Sequence, residues 1–234
     1  MNERKLVIVF AVFPGLTQLS LTGPYEVFSR LPGAEVIIAS VTGGALESSK
    51  LAFSGLQRLA DIRACDVICV PGGAGVFDAM RDDVFLGELC RLASSARLTT
   101  SVCTGSLVLG AAGLLRGKRA TTNWAWRDLL APFGAIADTS RVVRDGTVIT
   151  GGGVTAGIDF ALTVAVELAG PDVAKSIQLQ IEYAPLPPFD AGSPEAAPPP
   201  VVAQLRERNA ALADQRRKIV KAAADRMVVS QGVE

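Results

Sequence analysis

Thr100-Ser101-Val102-Cys103-Thr104-Gly105-Ser106 is the segment of this chain best built for covalent chemistry. A β-favouring run reaches Cys103 and small residues then lead into a helical stretch. This is the pattern of a nucleophile elbow, where a sharp strand-to-helix turn exposes one side chain at the carboxyl edge of a sheet. A helix starting at Thr104 would aim its free N–H groups and partial positive charge at the sulfur. Such placements lower a thiol pKa from about 8.5 into a range of roughly 3.5 to 7.5, so a thiolate at neutral pH is expected. The competing reading is an inert cysteine buried at a strand end, the role assigned here to Cys65, Cys69 and Cys90.

A second cluster, Pro71-Gly72-Gly73-Ala74-Gly75, follows the apolar run Val67-Ile68-Cys69-Val70. In a parallel sheet it shares an edge with Cys103, where ligands of α/β folds collect. Backbone N–H groups of Gly73 and Thr104 would then be placed to stabilise an anion developing on a bound substrate. A tight turn without chemistry is the alternative. No Gly-Lys-Ser or Gly-Lys-Thr follows, so the cluster is not a phosphate-binding P-loop.

Other chemistry is removed by composition. The 234 residues contain no histidine, which excludes His-based triads, imidazole proton shuttles and metal sites built on His. The four cysteines lack zinc-site or disulfide spacing, and no metal or cofactor is expected. Lys plus Arg number 23 against 23 Asp plus Glu, a balance that speaks against nucleic acid as a partner. No signal peptide and no run of membrane-span length is read from the sequence, so a reduced cytoplasmic protein without a membrane partner is expected.

The elements that must position Cys103 alternate. Leu6–Phe10 and Glu35–Ser40 read as strands, and the Gly43–Gly55 stretch as a hairpin or surface strands. Strand-like Val67–Val70 leads to a helix over Asp83–Ala96, and strand Arg97–Val102 to a helix over Thr104–Leu115. Asn123–Leu130 reads as helical, Arg141–Thr150 as a hairpin, and Gly151-Gly152-Gly153 opens a helix through Leu168, with another over Asp172–Tyr183. This alternation predicts an α/β fold with a mostly parallel central sheet covered by helices on both faces. Ala184–Pro200 carries seven prolines, so the compact α/β domain is placed at residues 1–183. Residues 184–234 are read as a proline-rich connection and an amphipathic helix over Val201–Val229 packed on the body or on a second subunit, the charges from Arg206 to Arg226 forming its solvated face.

Taken together these motifs resemble the ThiJ/PfpI superfamily, a branch of the class I glutamine amidotransferase-like fold, and within it the isocyanide (isonitrile) hydratases. The likeness runs through Leu21-Thr22-Gly23-Pro24, Pro71-Gly72-Gly73, the string from Ser101 to Thr122, Thr150-Gly151-Gly152-Gly153, Ala156-Gly157-Ile158-Asp159-Phe160, Glu182-Tyr183-Ala184-Pro185 and Ala191-Gly192-Ser193-Pro194. It implies a flavodoxin-like sandwich, a homodimer, and attack of a cysteine on the terminal carbon of R–N≡C, with water releasing an N-substituted formamide. Carried over, Cys103 is the nucleophile, Gly72, Gly73 and Thr104 shape the pocket, and Trp124 walls it. Because Trp124 and Trp126 stand two apart, one helix face cannot present both.

Two positions depart from that pattern. Ser20 occupies the place of an acidic residue before Leu-Thr-Gly-Pro, and Asn123 that of a pocket histidine after Thr-Thr. Hydrating an isocyanide requires protonating its carbon and deprotonating water, which a carboxyl does and a serine hydroxyl does not do unaided; losing a general acid/base commonly costs about 100-fold to 10,000-fold. Glu26 is a conceivable substitute, with a charge on the helix surface as the alternative. Three readings follow: a hydratase weakened by Ser20, a redox- or ligand-sensing dimer in which Cys103 is oxidised, and glyoxalase-type attack on small carbonyls.

Overall fold

The apolar run that opens the chain becomes the interior of the sheet. In the computed structural model, which describes the backbone of residues 5–231 and the side chains of 5–227, β1 (Leu6–Ala11) buries Ile8, Val9, Phe10 and Ala11 completely. Its sequence is continuously apolar, so both faces must be covered. Next come α1 (Gln18–Phe28), β2 (Ala34–Ser40), the hairpin strands β3 (Leu46–Ser48) and β4 (Leu51–Phe53), and the short β5 (Gln57–Arg58). The middle of the chain supplies β6 (Val67–Val70), α2 (Val76–Ala79), α3 (Asp83–Ala93), β7 (Leu98–Val102) and α4 (Gly105–Ala111). Asp82 caps α3 by accepting from the Phe85 N–H at 3.0 Å, a contact typically contributing about 1 kcal/mol.

After β8 (Arg119–Ala120) and β9 (Ile136–Ala137), which pair with each other, the hairpin β10 (Val142–Asp145) and β11 (Val148–Gly151) returns to the main sheet. The chain continues through α5 (Ala156–Ala169), α6 (Pro171–Gln180) and α7 (Pro199–Gln231). The seven strands run in the order β10-β11-β7-β6-β1-β2-β5, and only the β10–β11 pair is antiparallel. Helices cover both faces: α1, α5 and α6 pack together, as do α2, α4 and α7. Parallel pairing of β6 with β7 brings Val70 level with Ser101, so the glycine cluster and Cys103 leave the sheet side by side.

Residues 124–133 are helical as expected, in the 3-10 form: Pro132 lies inside the segment and Trp126, at φ −127, interrupts it. One expectation needs correction. The charged face of the last helix is not simply solvated. Arg216 lies between the rings of Phe77 and Trp126, at 4.8 and 4.1 Å from their centroids, Arg217 pairs with Asp128, and Arg226 donates to the Met80 carbonyl. Buried Val220, Ala223 and Met227 complete the seam, and Pro199 and Pro200 stand in the first turn, where no intrahelical N–H bond is lost.

Candidate active site

Cys103 sits between β7 and α4 with φ +56, a left-handed conformation unusual for a residue with a side chain. Several contacts over-determine it. The Cys103 N–H donates to the Gly151 carbonyl at 3.0 Å, and its own carbonyl accepts from Thr122 Oγ1 at 2.9 Å and Ser106 Oγ at 3.2 Å. Behind the turn, a Cβ on Gly105 would stand 2.1 Å from the Val70 carbonyl oxygen, so only glycine lets α4 begin against the end of β6. This is the strained strand-to-helix turn of an elbow.

The glycine cluster is its other wall. A Cβ on Gly72 would fall 2.6 Å from the Thr104 nitrogen and 2.7 Å from Cys103 Cβ, which places Gly72 directly against the elbow. The Gly72 carbonyl accepts from the Thr17 N–H at 2.7 Å, and the Ser20 N–H in turn donates to the Thr17 carbonyl. This chain of bonds ties the start of α1 to the wall of the site. Ser20 itself is fully buried, and its Oγ has no hydrogen-bond partner. Orphaned buried hydroxyls are uncommon and mark places where a water or ligand atom fits.

Electrostatically the site differs from the expectation in two respects. The Gly73 N–H is already engaged with Thr104 Oγ1 at 3.0 Å, so it is not a free oxyanion donor. Cys103 is 5% exposed, and burial pushes its pKa up from the ordinary value. The Thr104 backbone N–H, the Thr104 hydroxyl and the Asn123 side chain pull the other way and do not win. Burial thus favours the thiol over the thiolate expected from the elbow's donors. Asn123 Oδ1 accepts from the Ala125 N–H at 3.0 Å, leaving the amide NH2 as the group that meets the sulfur.

Glu26 is exposed and paired with Arg30 at 2.7 Å, on the helix surface and not in the site. Cys65 and Cys69 are buried, and burial raises their pKa values to about 11 and about 12. Together with Asn123 and Thr122, Trp124 lines a cavity of about 310 Å3 whose wall does not include Cys103, Thr104, Ser20, Gly72 or Gly73, while Trp126 is buried under Arg216. A larger cavity of about 480 Å3, between Phe13, Leu46 and Phe85, contains none of Cys103, Ser20, Gly72, Gly73 or Asn123. Sequence reasoning did not single out Thr17 or Thr122, and it quoted Ser106 in the elbow segment without giving it a role. Thr122 lay within the quoted family string, but its bond to the Cys103 carbonyl spans residues distant in sequence. Among the described residues, no cluster of three or more His, Cys, Asp or Glu side chains is arranged to hold a metal ion, and no helix is long and apolar enough to cross a membrane.

A flavodoxin-like α/β sandwich with a cysteine at a strained elbow, walled by a glycine turn from the neighbouring strand, defines a cysteine-elbow class of protein. Residues 6–167 match the DJ-1/PfpI family, and the chain belongs to it. It is 52% identical to the isonitrile hydratase of Pseudomonas putida over 223 residues, covering 95% of this chain and 98% of that one. It is also 30% identical over 183 residues to protein dj-1beta of Drosophila melanogaster, covering 76% of this chain and 95% of the relative. Among solved structures, a ThiJ/PfpI family protein from Pseudomonas syringae superposes with a TM-score of 0.89 at 40% identity, over 96% of this chain and 94% of that one.

Proposed function

We propose that this protein hydrates isocyanides to N-substituted formamides, with Cys103 as the nucleophile. The observation that carries the reading is near full-length similarity to an isonitrile hydratase in a chain whose elbow holds a cysteine. A neutral thiol suits a site without an acid. The Cys103 S–H adds across the terminal carbon of R–N≡C, forming the S–C bond and leaving the thiol hydrogen on that carbon as R–N=CH–S–Cys. Water then adds to this carbon, the C–S bond breaks, the sulfur regains a proton, and R–NH–CHO departs. The orphaned Ser20 hydroxyl is the group proposed to hold the water and pass the hydrogen, while the Thr104 N–H and Asn123 amide steady the charge that builds on sulfur.

The test is an assay of aryl and alkyl isocyanides, with formamide as the measured product. Wild type is expected to turn over and Cys103→Ala to lose activity. Ser20→Asp is expected to raise kcat about 100-fold or more if the missing carboxyl limits the rate. A wild-type rate no higher than that of Cys103→Ala removes the reading. The sensing alternative draws on Ser20 at the acid position; it predicts oxidation of Cys103 by mild peroxide without isocyanide turnover.

A further inference from the structure

Asn123 has a second neighbourhood. Its amide favours the ionised form of Cys103, and it lines the cavity of about 310 Å3 together with Thr122, whose Oγ1 donates to the Cys103 carbonyl at 2.9 Å. Part of that cavity's wall is Gly192–Glu195, which overlaps the Ala191-Gly192-Ser193-Pro194 motif and has no role in the chemistry at sulfur. Two cationic side chains line the same space, Arg127 and Arg141.

The two arginines are not equivalent. Arg141 is committed, with Nε on Asp159 Oδ2 at 2.6 Å and a terminal nitrogen on Thr155 Oγ1 at 3.2 Å. Arg127 Nε is buried with no hydrogen-bond partner, and among the described residues no carboxylate lies within ion-pair distance of its guanidinium. Glu195 is the one carboxylate on the cavity wall among those residues. It is exposed, and its pKa is lowered first by its own backbone N–H and then by Ser193; burial opposes this, and the Arg127 charge contributes least. A guanidinium stays ionised at any physiological pH, and a fork of N–H donors without acceptors is matched by a carboxylate.

We infer that this cavity is a subsite for the substituent of the substrate, and that Arg127 makes it select isocyanides whose substituent ends in a carboxylate. The inference rests on the hydratase reading for its substrate class. The bonds made and broken at sulfur are those given above, and the carboxylate takes no part in them. Hydration of such a compound yields an N-formyl amino acid, which gives a ligand whose binding does not depend on turnover.

The experiment measures binding of N-formyl amino acids of increasing tether length to Cys103→Ala protein by calorimetry. Matched N-alkylformamides lacking the carboxylate are measured beside them. The carboxylated ligand is expected to bind about tenfold to a hundredfold more tightly, the range of a charge-assisted hydrogen bond. Arg127→Gln should collapse that ratio, while Glu195→Gln, which removes a competing carboxylate from the wall, should widen it. A merely structural role for Arg127 does not predict opposite shifts in the two variants. Equal affinity for the two ligand types, or a ratio that neither variant moves, overturns the inference. Should the ratio behave as expected while wild type hydrates no isocyanide, the carboxylate subsite stands and the hydratase reading falls. Turnover of neutral isocyanides without any carboxylate preference leaves the hydratase reading standing and removes the subsite.

Discussion

At Cys103 two influences compete over a proton. The elbow supplies donors, namely the Thr104 N–H and hydroxyl and the Asn123 amide, and burial removes the water that would solvate a thiolate. Burial wins, and among the influences on this sulfur there is no charged side chain to reverse the balance. The sequence made the nucleophile and the elbow readable, because a strand that must turn sharply into a helix needs small residues just past the turn, and here they follow a cysteine. It did not make the proton's position readable, since how deeply the sulfur is enclosed depends on Gly72, Asn123 and Thr104, which only the folded chain brings together. Alkylation by iodoacetamide, followed by intact mass with Cys103→Ser as the blank, reads that position directly. Because only the thiolate reacts, the rate at Cys103 should climb about tenfold per pH unit from about pH 7 to about pH 9 without levelling. A plateau already reached below pH 7 would show an ionised sulfur and would contradict addition of an intact S–H.

Among the elements, the turn between β6 and α2 and the turn between β7 and α4 act as one unit. Gly72 and Gly105 are the contact points, each facing backbone of the other turn, and neither neighbour is the free end of a side chain that could swing aside. Gly72→Ala should therefore separate the two turns and weaken the Gly73 N–H bond to Thr104 Oγ1. Urea unfolding is expected to show a loss of about 1–3 kcal/mol, the usual scale of overpacking. Gly87→Ala, at a helical glycine with nothing within 4 Å, is the matched comparison and should be neutral or gain up to about 1 kcal/mol. Equal losses in both variants would refute the contact argument. The same scale shows what sequence patterns convey. Continuous apolar runs located β1 and β6, because a strand buried on both faces must look that way, whereas β7 (Leu98–Val102) carries Thr99, Thr100 and Ser101 and is legible only as a β-favouring stretch leading to the cysteine. The 124–133 segment is legible as helical but not as 3-10, a form that goes with Pro132 inside it and with the tertiary packing of Trp126 under Arg216.

Across the whole molecule, the tail and the body are less separate than composition alone conveys. Proline content changes after Tyr183, yet Gly192–Glu195 walls the cavity beside Asn123, and α7 returns to lay Val220, Ala223 and Met227 on the body. Packing of this kind buries Cys65, Cys69 and Cys103 and half-buries Cys90, and this has a measurable consequence at alkaline pH. Burial raises the pKa of all four cysteines, that of Cys69 from 9.0 to about 12. Between those values the folded chain holds a proton at Cys69 that the unfolded chain has released. Folding stability from this group is thus complete below about pH 9 and declines as pH rises toward 12, by about 1.4 kcal/mol per pH unit for each such thiol. Cys69→Ala leaves a small void in the sheet and should be the less stable protein near pH 8. Its stability should nevertheless fall less steeply than that of wild type between about pH 9 and about pH 11, so that the two urea-unfolding profiles converge. Parallel profiles over that interval would mean that Cys69 ionises as easily in the folded chain as in the unfolded one, and that water reaches the centre of the sheet.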